Sequence, residues 1–449
     1  MRFAARIIGP VSANDRPHPV PHISRRHFVG GAGAIAAALA WPRPIEALAR
    51  GLRQLNPAQD PYWRVVRDAF LLEPDRVYLN VGTLGAQPRA VVDAVIEHTR
   101  RVAMSFPPAV EWDALKDGLG ALLGCDGAGL VFPRNTTEGM SFVANGLDLV
   151  AGDEILTTDH EHIGGLCCWQ LVAARRNLTL RQLPLPVPPE SAGQVVDVFR
   201  NAIGPRTRVI SISHVTFTTG LVTPVRELVA LARERGIISV VDGAHPPGMI
   251  PVQIGAIDPD FYASSPHKWL LAPQGTGFLW MREDWRTRLW PTLASGGWDD
   301  LSLGAHRFNH LGTFDESRLA GLLASLRFFE AVGPQRVYDR IRVLRRRLID
   351  RLDGIAAVRI VSPRDDALGA GIVAFEASGM PALALQQRLA EAEAPASAPL
   401  AGRTLRVRTR VIGEYDYGWM RLSPHVYTSE SEIDTVTAMI ADILQRGPA

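Results

Sequence analysis

The sequence predicts an α/β fold in which a large domain with a mostly parallel sheet precedes a smaller C-terminal α+β domain. From residue 130 onward, apolar runs of β-type composition alternate with stretches of helical periodicity. This alternation is typical of a parallel sheet that is covered by helices on both faces. After residue 315 the pattern changes to long arginine-rich helices and then to mixed strands and helices. A chain of 449 residues is long enough for about two to three domains.

The individual elements follow in chain order. Short apolar runs predict strands of the large domain at residues 130–132, 154–156, 209–213, 237–241 and 277–280. Helical periodicity predicts helices that begin near Thr136 and that span residues 223–235, 318–332 and 335–352. We therefore assign residues 50–75 to an N-terminal segment, 76–315 to the large domain and 316–449 to the small domain.

Residues 1–49 are predicted to be a leader that directs export from a bacterial cytoplasm. The run SRRHFV at residues 24–29 precedes a Gly/Ala-rich apolar stretch at residues 30–41, which is far shorter than the roughly 20 apolar residues needed to span a bilayer. Paired arginines followed by Phe28 resemble a twin-arginine signal, with candidate cleavage sites at residues 38–40 and 47–49. We expect the twin-arginine export machinery as a partner, a periplasmic or exported product and no stable membrane insertion. A chance arginine pair before a buried helix is the alternative.

The charge balance argues against a nucleic-acid partner. The chain has 48 Lys and Arg against 46 Asp and Glu, and its first 50 residues hold seven arginines against only Asp15 and Glu46. The remaining residues therefore carry 41 basic and 44 acidic side chains, which leaves no basic excess to neutralise phosphates. Hydrophobic residues make up 47% of the chain, so a large folded core is expected.

Only two of the basic residues are lysines, Lys116 and Lys268. Lys116 lies in an amphipathic helical pattern and is predicted to face solvent. Lys268 lies in the run SSPHKW at residues 264–269, which has no such pattern. Arginine cannot replace lysine where a deprotonated amine must attack a carbonyl, because the guanidinium stays charged. Lys268 is therefore a candidate for covalent chemistry.

The cysteines indicate neither a disulfide framework nor a metal site. Cys125, Cys167 and Cys168 include no CxxC pair, and we expect three small, buried side chains. The nearby His160 and His162 do not have the spacing of a standard zinc site, so no metal is predicted.

Three further features fall where strands of a parallel sheet end, which is where such sheets bind ligands. Asp242 directly follows the strand predicted at residues 237–241, and Lys268 comes 26 residues later. Asn135, with Glu138 three residues on, resembles a capping box at a helix start, which offers free N–H groups to a phosphate. A phosphate site, a carboxylate and a lysine are the parts that pyridoxal phosphate needs. Taken alone, Asp242 and the two threonines after Asn135 could simply cap helices.

The run DGAH at residues 242–245, followed by SPHK at residues 265–268, resembles the aminotransferase class V family of fold-type I pyridoxal-phosphate enzymes. The resemblance covers residues 75–440 and implies a seven-stranded sheet in the large domain. It implies that Lys268 forms the Schiff base, that Asp242 contacts the pyridine nitrogen and that His245 faces the ring hydroxyl. The phosphate contacts that it implies are Thr136, Thr137, Ser265 and His267.

The same resemblance implies further roles. His162 would stack on the cofactor ring as a catalytic residue, although a lone histidine is more often a core residue. Gly312-Thr313 would reach the cofactor phosphate of a neighbouring subunit, so a homodimer is expected. Arg421 would clamp the substrate carboxylate, and Asn80 would line the substrate pocket. Without the resemblance, Arg421 would be predicted to be a surface charge, as one of 46 arginines in the chain.

Two differences from the family's sequence pattern limit which reactions the protein is expected to catalyse. No cysteine follows Cys168, so the thiolate that a persulfide-forming cysteine desulfurase needs in its C-terminal half is missing. Phe217 stands three places after His214, where the family often has asparagine, and this puts one cofactor or substrate contact in doubt.

The resulting hypothesis is an enzyme acting at the α-carbon of an amino acid or amino-acid-ended substrate, with Lys268 as general base or acid. The likeness to the isopenicillin N epimerase-like branch favours an epimerase or racemase. An aminotransferase or C–S lyase is the alternative within the fold. A pyridoxal-phosphate-binding protein without turnover is the alternative of another class.

Overall fold

A seven-stranded sheet lies at the centre of the computed structural model, which describes residues 44–105, 110–309 and 312–447. The strands are β1 (Arg76–Tyr78), β2 (Leu130–Val131), β3 (Glu154–Thr158), β4 (Thr179–Leu183), β5 (Thr207–Ser213), β6 (Ile238–Asp242), β7 (Phe261–Ser264), β8 (Phe278–Met281), β9 (Val358–Ile360), β10 (Val373–Ala377), β11 (Ala392–Glu393), β12 (Thr404–Arg408), β13 (Arg410–Ile412) and β14 (Trp419–Leu422). The central sheet has the order β2-β8-β7-β6-β5-β3-β4. Its neighbours from β4 to β7 are parallel, and β8 is antiparallel to β7 and β2. The predicted mostly parallel seven-stranded sheet is confirmed.

Helices cover the sheets. They are α1 (Pro44–Leu52), α2 (Asp60–Asp68), α3 (Arg89–Met104), α4 (Trp112–Leu123), α5 (Thr136–Gly146), α6 (Ile163–Arg176), α7 (Ala192–Ala202), α8 (Val225–Glu234), α9 (Ile254–Ile257), α10 (Ser317–Val332), α11 (Pro334–Asp353), α12 (Ala382–Ala390) and α13 (Glu430–Arg446). The two long helices predicted after residue 315 are present within one residue of their predicted ends. The helix predicted from residue 223 begins later, at Val225, because Pro224 occupies its N-cap position.

Both faces of the central sheet are buried, as its apolar strands predict. Val209 and Val240 face one apolar cluster, which includes side chains of α5 and α6. Ile210 and Val241 face the other, which includes side chains of α4, α7 and α8. All four side chains are at most 1% exposed. This alternation along β5 and β6 fixes which residues point to each layer, and it leaves the strand ends free to carry polar groups.

The C-terminal region has two smaller sheets. One is antiparallel with the order β13-β14-β10-β9, and the other has the order β1-β12-β11, in which β1 and β12 are parallel. The prediction placed residue 76 at the start of the large domain, whereas the strand Arg76–Tyr78 pairs with a C-terminal strand. The reason is apolar burial, because Val77 and Leu79 pack with Leu405 and Leu422. The predicted division near residue 315 stays a prediction, and residues from Pro44 onward form one compact unit.

The predicted leader falls mainly on residues 1–43, outside the described part of the chain. Its last residues, including the candidate cleavage site at 47–49, belong to α1. Among the described residues, no helix combines the length and the apolar character that crossing a membrane requires.

Candidate active site

A cavity of about 210 Å³ opens at the edge of the central sheet where β3, β5, β6 and β7 end. Because these strands are parallel, their carboxyl ends meet at one edge. Nine of the predicted site residues line this cavity: Thr136, Thr137, His162, Asp242, His245, Ser265, His267, Lys268 and Arg421. They come from segments spread over residues 136–421 of the chain, and only the folded sheet brings them together.

Asp242 is the last residue of β6 and is 5% exposed. Its Oδ1 accepts a hydrogen bond of 2.9 Å from the Ala244 backbone N–H. Burial raises the pKa of this carboxyl, and the charge of Lys268 opposes the shift. A Cβ on Gly165 would lie 2.5 Å from Asp242 Oδ2, so this glycine is required for the carboxylate to occupy its position. The geometry suits an acceptor that faces a protonated ring nitrogen.

Lys268 follows β7 and is buried beside His245, with 3.3 Å between Lys268 Nζ and His245 Nε2. Burial lowers the pKa of the Lys268 amine to about 8, Asp242 opposes this shift, and Arg421 and Arg410 add to it. An amine with this pKa is deprotonated in a useful fraction near neutral pH. It can therefore attack a carbonyl or remove a proton.

Trp269 fixes the state of His245. The indole Nε1–H of Trp269 donates to His245 Nδ1 at 3.1 Å. Because the indole nitrogen can only donate, Nδ1 must be the acceptor, and the neutral imidazole carries its proton on Nε2. Burial, followed by the charge of Lys268, lowers the pKa of His245 well below its usual value. The Nε2–H group therefore points to the lysine side of the cavity as a donor.

The start of α5 forms the opposite end of the cavity. Asn135 caps this helix, since its Oδ1 accepts from the Glu138 N–H at 3.0 Å. In a capping box the Glu138 carboxylate would also accept from the Asn135 N–H. Here Glu138 Oε2 instead accepts from the Arg134 N–H at 2.5 Å. Thr136 Oγ1 and Ser265 Oγ lie 2.8 Å apart, and the Thr136 N–H donates to the same Ser265 oxygen at 3.0 Å. A helix N-terminus with two hydroxyl groups is suited to a phosphate.

His162 and Phe217 form an aromatic wall. Their rings meet edge to face with centroids 5.0 Å apart. His162 Nδ1 accepts from the Gly164 N–H at 3.0 Å, and burial, followed by the charges of Lys268, Arg410 and Arg421, lowers its pKa to about 3. A neutral ring suits stacking better than acid catalysis at neutral pH. Phe217, predicted to lack the family's polar contact, instead supplies an apolar surface and a backbone acceptor.

Arg421 in β14 is 1% exposed, and its guanidinium is held by the protein. Nη1 donates to the Phe217 carbonyl at 3.0 Å, and Nη2 donates to Asn80 Oδ1 at 3.1 Å and to Thr83 Oγ1 at 2.9 Å. Asn80 thus acts through Arg421 and is not among the residues that line the cavity, whereas Thr83 is. These contacts hold Arg421 in place with its Nε unpaired among the described residues.

Thr313 lies apart from this site. It is exposed, as is Gly312, and neither lines the cavity. Its predicted contact requires a neighbouring subunit, so it stays a prediction. Sequence reasoning missed Arg410, Thr83, Trp269 and the pair Gly164-Gly165. The glycine pair directly after His162 at a helix start was a readable signal, whereas nothing distinguished Arg410 from the other arginines.

The residues present fit pyridoxal phosphate. Thr136, Thr137, Ser265 and His267 would hold the phosphate, Lys268 would bind the aldehyde carbon, and Asp242 would face the ring nitrogen. Bulk at Gly164 or Gly165 would collide with Thr137 Oγ1 or Asp242 Oδ2, each at 2.5 Å from an added Cβ. The close approach of backbone and polar groups therefore shapes a slot for a flat ring.

Comparison with known proteins agrees with this geometry. Residues 110–436 match the family model "Aminotransferase class-V". The isopenicillin N epimerase of Streptomyces clavuligerus is 34% identical over 398 residues, 83% of this chain and 96% of the relative. A cysteine desulfurase of Haloferax volcanii is 30% identical over 325 residues, 67% of this chain and 74% of the relative.

Solved structures show the same fold. A variant of the C–S lyase C-DES, with glycine covalently linked to its pyridoxal phosphate cofactor, aligns with a TM-score of 0.72 and 26% identity. The alignment covers 84% of this chain and 99% of that one. The fold is therefore that of fold-type I pyridoxal-phosphate enzymes, and the cofactor is pyridoxal phosphate. The chain belongs to the aminotransferase class-V family.

Proposed function

We propose that the protein catalyses epimerisation or racemisation at the α-carbon of an amino acid or of a small substrate with a free amino-acid end. The observation that carries this proposal is the convergence of Lys268, Asp242 and Arg421 on one cavity. A depressed amine pKa at Lys268 supplies a base, and Arg421 supplies a carboxylate partner. The likeness to isopenicillin N epimerase over most of both chains supports this choice of reaction.

Each residue of the site has a separate role in the proposed reaction. Arg421 orients the substrate carboxylate, and the acceptor oxygens of Asn80, Thr83 and Phe217 keep its guanidinium from rotating. Pyridoxal phosphate supplies an electron sink that stabilises charge at the α-carbon. Lys268 removes the α-proton from one face, a proton from solvent returns to the opposite face of the α-carbon, and the Nε2–H of His245 stays available as a hydrogen-bond donor beside Lys268. The aromatic wall of His162 and Phe217 excludes water from one side of the site.

Two experiments test the proposal. Purified protein loaded with pyridoxal phosphate should show a visible absorption band that borohydride converts to a stable adduct. Lys268→Ala should lose that adduct, whereas Lys116→Ala, which changes the other lysine, on α4 and outside the cavity, should keep it. Amino acids incubated in D2O should then lose their α-proton NMR signal, and chiral chromatography should detect the opposite enantiomer. The assignment of Lys268 would be contradicted if wild-type protein shows no absorption band. It would also be contradicted if Lys268→Ala forms the same borohydride adduct as wild type.

Other outcomes of the same assay identify the alternatives. Formation of a keto acid from an added amino acid indicates an aminotransferase, and release of sulfide or pyruvate from cystine indicates a C–S lyase. Absence of α-proton exchange with every amino acid, in a protein that holds the cofactor, indicates a binding protein without turnover.

We further propose that the enzyme does not form a cysteine persulfide. Cysteine desulfurases are among its relatives, so family membership does not decide this point. The proposal rests on the positions of the thiols, none of which lines the cavity. Burial raises the pKa of Cys125 and of Cys168 to about 12. Cys167, which was predicted to be buried, is instead exposed on α6. Sulfide production from L-cysteine and dithiothreitol, lost on replacement of one of these thiols, would overturn it.

Assembly and location complete the proposal. A homodimer is proposed because Gly312 and Thr313, which the family resemblance directs to a neighbouring subunit, are exposed together with the adjacent apolar side chain of Phe314. Light scattering should give twice the chain mass, and a monomer with full cofactor affinity would contradict it. Export to the periplasm is proposed from the arginine pair at residues 25–26. Changing both to lysine should retain the protein in the cytoplasm, as measured by fractionation.

A further inference from the structure

Two arginines stand directly opposite each other beside the active-site cavity. Arg410 in β13 pairs with Arg421 in the antiparallel strand β14. Directly opposite residues of an antiparallel pair project from the same face, and both side chains line the cavity. Like charges in this arrangement destabilise a sheet, so the pair indicates a binding requirement at this edge.

Arg410 and Arg421 leave some of their hydrogen-bond donors unpaired. Burial, followed by the charge of Arg410, lowers the pKa of Arg421 to about 9. The Nε atoms of both arginines are buried without a hydrogen-bond partner among the described residues. The protein offers Arg410 one carboxylate, that of Glu414, which accepts from its Nη2. Both side chains of this ion pair are partly exposed, at 26% and 30%, so Glu414 is a replaceable partner.

The charges of the side chains that line the cavity also favour an anionic ligand. Lys268, Arg410 and Arg421 line it against a single carboxylate, Asp242, within the part of the chain that the structure describes. The groups at the phosphate end, Thr136 and Ser265 among them, are neutral hydroxyl groups. With one substrate carboxylate at Arg421, Arg410 would keep the partly exposed Glu414 as its carboxylate partner among the described residues.

We propose that Arg410 binds a second carboxylate of the substrate, which is therefore an amino acid with an acidic side chain or an acid-terminated extension. This inference rests on the proposed function, since it assumes that Arg421 takes the α-carboxylate. The planar guanidinium of Arg410 matches a carboxylate by two parallel N–H···O bonds, and Glu414 occupies that position in the free protein. Substrate binding exchanges one carboxylate partner for another.

The test compares amino acids that differ only in this charge. L-Glutamate and L-glutamine, and L-aspartate and L-asparagine, are titrated into the holoenzyme while the absorption spectrum of the bound cofactor is recorded. Wild-type protein should bind at least one acid about tenfold or more tightly than its amide. Arg410→Gln should abolish this preference by weakening the binding of the acid. Arg408→Gln, a control on the exposed end of the neighbouring strand β12, should keep it.

Two further variants keep the test decisive if Arg410→Gln folds poorly. Arg410→Lys retains the charge without the planar fork and should reduce the preference without abolishing it. Glu414→Gln removes the competing carboxylate and should tighten binding of the acid only. Equal affinities for acid and amide in wild type, or a preference that survives in Arg410→Gln, would overturn the inference alone. A cofactor spectrum that responds to other amino acids but to none of these four would likewise overturn the inference alone. A spectrum that responds to no amino acid and to no amino-acid-ended peptide would overturn the proposed function, and the inference with it.

Discussion

Replacing Gly165 by alanine tests how closely the site is fitted around Asp242. The added Cβ would lie 2.5 Å from Asp242 Oδ2, where ordinary contacts begin near 3.4 Å. The carboxylate can turn away only by breaking the hydrogen bond between its Oδ1 and the Ala244 N–H. We expect a stability loss of about 1–3 kcal/mol from this overpacking of a buried group.

The same change should weaken cofactor binding. A charge-assisted hydrogen bond is worth about 1.5–3 kcal/mol, so displacing Asp242 from the pyridine nitrogen should lower affinity for pyridoxal phosphate roughly 10- to 100-fold. The assays are urea unfolding of the cofactor-free protein and titration of the cofactor by visible absorption.

A matched control separates this effect from the general one of replacing glycine in a helix. Gly193 also lies in the first turn of a helix, α7, but its nearest contact for an added Cβ is Ser191 Oγ at 3.7 Å. Gly193→Ala should leave cofactor affinity unchanged and stabilise the protein by up to about 1 kcal/mol. The reasoning is refuted if Gly165→Ala binds the cofactor as tightly as Gly193→Ala does.

Three further predictions concern charge, tautomer and helix capping. Because burial lowers the pKa of Lys268 from 10.5 to about 8, the unfolded chain binds this proton more readily, and the free energy of unfolding should rise with pH between these values. Lys268→Met should remove that slope and stabilise the cofactor-free protein at pH 7 by up to about 3 kcal/mol, measured by urea unfolding. Trp269→Phe should allow a proton on Nδ1 of His245, visible in long-range 1H–15N spectra, whereas Trp169→Phe, which removes a buried indole bond to a serine, should leave the His245 pattern unchanged. Ser429→Ala breaks the capping box of α13 and should destabilise the protein by about 1 kcal/mol in urea, with no loss of cofactor affinity.

Local patterns in the sequence predicted five of the seven strands of the central sheet and the chemistry-bearing residues Asp242 and Lys268 that follow two of its strands. The apolar runs of β5 and β6 predict buried strands because side-chain alternation and burial are local properties. Lys268 stands out in a chain with 46 arginines, and Asp242 follows directly on a strand. The edge strand β4 was missed because its side chains are largely exposed, and β7 because four residues give too short a pattern.

The tertiary structure decided what depends on distant contacts. The pairing of β1 with β12 joins segments more than 300 residues apart, and no local pattern encodes that register. The proton position on His245 follows from an indole 24 residues away, and the placement of Arg410 opposite Arg421 follows from a hairpin register. The sequence by itself determined the fold class and the cofactor, and it singled out Lys268 as the candidate that binds the cofactor, because these rest on residue type and order. Which arginines face the cavity was settled only by folding, since a side chain's direction depends on the strand that pairs with its own.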